Sequence, residues 1–140
     1  MRRLKYLSLL LSIVLLTSCS SSDDDSAEEP IATEGNALIL NKWWYDSNGF
    51  TADLYFDSDG SYEQRLDFSG SILTTTGTWL WLDVENSIVK IENLSQIPGQ
   101  LNTELWLKLT NIEQTTMTVQ QSSSGESYSA EVSYQDVDPE

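Results

Sequence analysis

From Asn41 onward, apolar and polar residues alternate with a period of two. That is the mark of strands with one buried and one solvated face, not of helices with their 3.6 period. Phe50, Ala52, Leu54 and Phe56 alternate with Thr51, Asp53 and Tyr55. Asp57-Ser58-Asp59-Gly60 then supplies turn chemistry, with Gly60 free to take a positive φ. Tyr62, Gln64, Leu66 and Phe68 next alternate with Glu63, Arg65 and Asp67, so the spacing predicts a hairpin. Ser69-Gly70-Ser71 is the following turn. Ile72 to Leu82 form a third long strand, and Gly77 within it is expected to mark a bulge or a bend.

The chain turns at Asp83 to Asn86 and returns over Ile88 to Glu92. Gln96-Ile97-Pro98-Gly99 breaks the pattern. Leu105, Leu107 and Leu109 then alternate with Glu104, Trp106 and Lys108, and Thr115 to Gln121 carry Met117 and Val119 on one face. Ser122 to Gly125 turn, and Tyr128, Ala130, Val132 and Tyr134 form the last strand. With Lys42 to Asp46 at the front, eight strands are expected. Ala37 to Leu40 read as a single helical turn, far below the length of a stable isolated helix. Short connections favour sequential antiparallel pairing. The expected fold is all-β, an up-and-down meander of about eight strands closed into a small barrel, since closure removes exposed edges.

The first 36 residues change the picture. Arg2, Arg3 and Lys5 precede an apolar stretch from Tyr6 to Leu16. A membrane-spanning helix needs about 20 apolar residues, so this segment reads as a secretory signal. It ends in Leu16-Thr17-Ser18-Cys19, and Cys19 is the one cysteine of the chain. The run resembles the lipobox of bacterial lipoproteins. The resemblance implies that residues 1–18 are removed, that Cys19 is acylated, and that the chain hangs from a membrane on its lipid. Each buried CH₂ of such an anchor contributes about 0.8 kcal/mol. With Cys19 consumed, no thiol remains for a disulfide, a metal or nucleophilic catalysis.

Residues 19–36 hold Ser20-Ser21-Ser22, Asp23-Asp24-Asp25, Ser26 and Glu28-Glu29 with almost no apolar side chain. Such a segment cannot bury enough surface to fold and is expected to be a charged tether. A serine-rich and acidic run directly after the lipid cysteine resembles the surface-export signal of Bacteroidota lipoproteins. The expected location is therefore the outer membrane, on the cell surface or otherwise on its periplasmic face.

The folded remainder, residues 37–140, is one domain by length. Three of the seven basic residues lie in the leader, so the chain from Cys19 onward carries four basic against 22 acidic residues, a formal charge of −18. Such a charge repels nucleic acid and anionic head groups, and it also serves solubility. No nucleic-acid partner is expected, and the domain is expected to be a monomer. There is no histidine, which removes the commonest general base and metal ligand.

Several segments together resemble one family. They are Ile39-Leu40-Asn41-Lys42-Trp43, Phe56-Asp57-Ser58-Asp59-Gly60-Ser61-Tyr62, Gly77-Thr78-Trp79, Ile88-Val89-Lys90-Ile91, and Leu109-Thr110 through Met117-Thr118-Val119. In this order they are similar to the lipocalin-like domains of Bacteroidota lipoproteins, over about residues 37 to 134. The family shows glycine where this chain has Asn41. Asparagine tolerates left-handed backbone better than most residues, so the turn there is expected to survive. The resemblance implies an antiparallel barrel or half-open sandwich able to hold a small apolar ligand, with Trp43 at the position whose tryptophan plugs the barrel floor.

The candidate ligand-binding residues are Trp79, Trp81, Trp43 and Trp106. Trp79 and Trp81 share one face of a strand while Leu80 and Leu82 share the other, and alternation does not say which pair points inward. Trp106 sits on the Glu104/Lys108 face, where it is expected to be partly exposed and able to stack on a sugar or a partner. Asp57-Ser58-Asp59-Gly60 looks like a fragment of a calcium loop. It lacks the third acidic position and the distal glutamate, so a plain turn is expected. Asp53, Glu63 and Asp67 are carboxylates on the solvent face rather than a glycosidase pair. The sequence thus reads as a lipid-anchored lipoprotein, not an enzyme and without a cofactor, whose barrel binds a small apolar or amphipathic molecule. The competing reading is a structural or protein/glycan-interaction module with a barrel filled by its own bulky side chains.

Overall fold

The computed structural model describes residues 36–95 and 102–139. The leader, Cys19, nearly all of the tether and the Gln96–Gly99 break lie outside them. Eight antiparallel strands close into a barrel in sequence order: β1 (Trp43–Asp46), β2 (Asp53–Phe56), β3 (Ser61–Phe68), β4 (Ser71–Asp83), β5 (Ile88–Glu92), β6 (Leu105–Thr110), β7 (Thr116–Ser122) and β8 (Val132–Gln135). The seam is β8 against β1, where Tyr45 faces Gln135 and Asp46 faces Tyr134. A 3-10 turn over Ala37–Ile39 leads in.

The barrel has two unlike ends. At the closed end the chain enters beside the β2–β3 turn. Leu40 bridges Phe56, and the Asn41 amide donates to the Phe56 carbonyl at 2.8 Å. Asn41 adopts a left-handed φ of 57°, as its residue type allows. Its Oδ1 accepts from the Ser58 amide at 3.0 Å, which ties the incoming chain to the Asp57–Gly60 turn. Gly60 itself takes a φ of +88°.

Aromatic residues fill this end. Trp44 is fully buried, and its indole N–H donates to the Ile39 carbonyl at 3.0 Å. Trp79 donates to the Asp57 carbonyl at 2.8 Å. The Phe56 and Trp79 rings meet edge-on at 5.5 Å, and Trp79 meets Trp81 edge-on at 6.1 Å. The Lys42 ammonium sits 4.2 Å from the centre of the Trp44 ring and closes the plug.

The structure corrects several expectations. The floor plug is Trp44, not Trp43. Successive side chains on a strand point to opposite faces. Trp43 therefore stands on the outer wall, half-buried against Tyr55 with ring centres 5.3 Å apart. Phe50 is not in a strand and is 86% exposed, because the Asp46 carboxylate folds residues 47–52 into a loop. Phe68 points beyond the barrel rim and is 68% exposed.

Gly77 marks no bulge, since it pairs with Tyr62 in unbroken register and the register shift falls between Trp81 and Asp83. What requires glycine there is closeness. A Cβ at Gly77 would stand 2.6 Å from the Glu92 carbonyl oxygen. Tyr128 to Glu131 do not join β8. They run beside β7 through Ser129, whose amide donates to the Gln121 carbonyl and whose hydroxyl accepts from the Gln121 amide.

Candidate functional site

At the other end of the barrel lies a cavity of about 470 Å³. Apolar ligand pockets commonly run from about 300 to 1,000 Å³. Its walls come from the inner faces of β3, β6 and β7 and from the β1–β2 and β5–β6 connections. Register sets the depth of each lining residue. On β3, Gln64 pairs with Leu54 and Thr75, and Leu66, two residues nearer the β3–β4 tip, pairs with Leu73. On β7, Gln121 faces Leu107, whereas Leu105 lies two residues nearer the rim. Two amides therefore stand deep in the hollow, and Leu66, Leu105 and Phe50 stand above them. Leu94 is almost fully buried and forms part of the wall.

Polar side chains hold this end in shape. Asp46 is buried at the end of β1 and accepts four hydrogen bonds. They come from the amides of Asn48, Phe50 and Thr51 at 2.9, 2.8 and 2.7 Å and from the Thr51 hydroxyl at 3.0 Å. Burial pushes the Asp46 carboxyl upward, but these donors outweigh it and hold it below the ordinary carboxylate value. Asp53 shifts the other way, raised by burial and by the charges of Asp138 and Asp46, against its bond from the Asp46 amide.

Tyr134 is buried across the seam. Its Oη lies 2.9 Å from the Thr51 hydroxyl and donates to the Ala52 carbonyl at 3.0 Å, and it is also hydrogen-bonded to the Gln121 side chain. Burial pushes the Tyr134 phenol up to about 12. Tyr62 donates to Gln64 Oε1 at 3.0 Å, which fixes the orientation of that amide. One network, Asp46–Thr51–Tyr134–Gln121, thus joins the loop to the cavity wall.

The four tryptophans singled out from sequence do not come together. Trp79 and Trp81 point inward and are buried in the floor below the cavity, while Leu80 and Leu82 face outward. Trp43 carries the Arg65 guanidinium 3.8 Å above its ring on the outer wall. Trp106 is half-buried on the far wall. Gly125 approaches one side so closely that a Cβ there would stand 3.1 Å from the indole nitrogen, and Lys90 lies 5.2 Å from the ring centre. None of the four lines the cavity. Cys19 lies outside the described residues.

Sequence reasoning passed over the whole lining, and Gln64 and Gln121 are its deep polar members. The signal for Gln64 was present, because it shares a parity with Tyr62 and Leu66 on an otherwise apolar face. An amide on that face is a polar group turned toward the interior. Compared with known protein families, curated proteins and solved structures, the chain matches none.

Proposed function

We propose that this chain is a lipid-anchored lipoprotein whose non-enzymatic, lipocalin-like barrel binds one small apolar or amphipathic molecule in the hollow at its mouth. The observation that carries the binding reading is the division of the interior. Aromatic side chains pack the closed end, and about 470 Å³ remains open at the other. The open half is lined about equally by apolar residues (Phe50, Ala52, Leu66, Leu94, Leu105) and polar ones (Thr51, Gln64, Asn102, Glu104, Gln121), a mix that suits an amphipathic molecule. The filled half confines any ligand to the level of Gln64, Gln121 and above.

The anchor rests on the lipobox-like run ending in Cys19, and the outer-membrane location on the acidic residues that follow it. The described chain begins at Asn36 beside the closed end, the end of the barrel opposite the mouth. Native mass spectrometry of the chain purified from its own host tests the binding reading. A co-purifying small molecule supports it, and a bare protein mass under gentle ionisation contradicts it. The anchor is tested separately with Cys19→Ala, which is expected to leave the membrane fraction. Unchanged membrane retention contradicts the anchor.

A further inference from the structure

The order of polarity along the cavity wall names a ligand class and an orientation. In a barrel that swallows an apolar tail, the apolar residues lie deep and the polar ones at the rim. On the β3–β4 side of the mouth the order is reversed, while Asn102 and Glu104 keep the β5–β6 side of the rim polar. Gln64 and Gln121 lie deep, Leu66 and Leu105 lie above them, and Phe50, Leu73 and Phe68 stand at or beyond the rim. Leu66 and Phe68 share the inward parity of β3, and Leu73 pairs with Leu66, so the β3–β4 tip projects an apolar inner face past the barrel. Phe50 is 86% and Phe68 is 68% exposed.

A purely apolar ligand seated on this floor would strip water from those halves of the two amides that Tyr62 and Tyr134 do not bond, and would replace none of that water's hydrogen bonds. Burying an amide without a partner costs about 1–3 kcal/mol, enough to cancel much of what the contact contributes. A head group that donates and accepts hydrogen bonds restores them. Charged heads fit worse. Among the described residues none that lines the cavity is basic, so an anion would enter without a counter-charge. The lining carboxylate, Glu104, is already paired with Lys90 at 3.0 Å, and the nearby Asp46 carboxylate is saturated by four donors. A cationic head would have to compete with Lys90 for Glu104 and displace the neutral donors that surround Asp46.

We infer that the cavity takes a neutral amphiphile head first, its hydroxyl or amide head against Gln64 and Gln121 and its chain leaving past Leu66 and Phe50 along the β3–β4 tip. This inference rests on the binding reading above and goes beyond it in head-group class and direction. The test is competition against Nile red bound to the full chain. Three competitors of equal chain length are used below their micelle concentrations: the glycerol monoester of dodecanoic acid, dodecanoate, and dodecyltrimethylammonium.

The glycerol ester is expected to displace the dye at a concentration about tenfold lower than either ion, a difference of ~1.4 kcal/mol. In Gln121→Leu that preference is expected to vanish. Displacement by dodecanoate or the ammonium equal to or better than by the ester overturns the head-group assignment and leaves the pocket standing. A preference that survives in folded Gln121→Leu also overturns it. Dye that never binds saturably overturns both the assignment and the binding reading beneath it. The parent competition decides the question without the variant.

Discussion

Asp46 holds Thr51 at two points. One carboxylate oxygen, Oδ2, accepts the Thr51 amide at 2.7 Å and the Thr51 hydroxyl at 3.0 Å. The same oxygen takes the Phe50 amide at 2.8 Å. This single buried atom therefore shapes the loop that supplies Phe50, Thr51 and Ala52 to the cavity wall.

Replacing that carboxylate is expected to be costly. Asp46→Asn keeps the volume but exchanges a charged acceptor for a neutral one and turns a donor toward backbone N–H groups. A loss of about 2–3 kcal/mol follows, on the scale of charged hydrogen bonds. The pH dependence has a definite sign. Because the folded-state pKa of Asp46 lies below its ordinary value of 3.8, its contribution is fully present above that value and is lost as pH falls through the lowered one. Chemical denaturation between pH 2 and 7 should show parent stability falling at the acid end and a flatter curve in Asp46→Asn. Parallel curves contradict the assignment.

The two adjacent tryptophans of β1 should separate sharply. Trp44→Ala empties a fully buried position and is expected to lose about 3–5 kcal/mol. Trp43→Ala removes only the outer-wall contacts with Tyr55 and Arg65, worth about 1–2 kcal/mol together. Urea titration of both variants measures the difference, and equal losses would show that the faces of β1 are misassigned.

How much of this was legible in the sequence depends on the kind of signal. The alternation of Tyr62, Gln64, Leu66 and Phe68 against charged residues named β3, and the Asp57–Gly60 turn named its partner, because period and turn chemistry are local. Asn41 could be read as left-handed from its side chain alone, and its φ of 57° agrees. The inward pair of β4 could not be read, since Trp79/Trp81 and Leu80/Leu82 are both apolar and only the neighbouring strands decide. Phe50 was misplaced for a related reason. It continues the parity of Leu54 and Phe56, but the Asp46 carboxylate pulls residues 48–51 into a loop, and no periodicity records a hydrogen bond from outside the window. The cavity was out of reach because it depends on how far β3 and β4 outrun β2 and β5.

Gly77→Ala is expected to destabilise the barrel. Its Cβ would meet the Glu92 carbonyl oxygen at 2.6 Å and lie 3.4 Å from Leu94, so β4 and the chain after β5 must move apart. Overpacking of this kind costs about 1–3 kcal/mol, partly offset by the stiffer unfolded chain. A fall in Tm of about 5–10 °C follows for a domain of this size. An unchanged Tm contradicts the close approach.

Tyr134 predicts behaviour at alkaline pH. Its phenol is raised to about 12 by burial, so the stability it confers is fully present below the ordinary value of 10.0 and is lost as pH rises through about 12. Ultraviolet titration of the phenolates should show a late-ionising class that Tyr134→Phe diminishes. Removing the hydroxyl also frees Thr51 and the Ala52 carbonyl, at about 1 kcal/mol per bond. Loss of no late-ionising signal in the variant contradicts the burial of this phenol.

The central claim is that the open half of the barrel is a binding site. Nile red titrated into the full chain, and into the same chain with Ala52→Trp, tests it most directly. Ala52 lines the hollow beside Thr51, so a tryptophan there fills space that a ligand would occupy. The parent is expected to enhance dye emission saturably at about one site. The Ala52→Trp chain, shown to be folded by circular dichroism, is expected to bind at least about tenfold more weakly, the equivalent of ~1.4 kcal/mol. Unsaturable emission in the parent, or equal binding in the folded variant, would contradict the account.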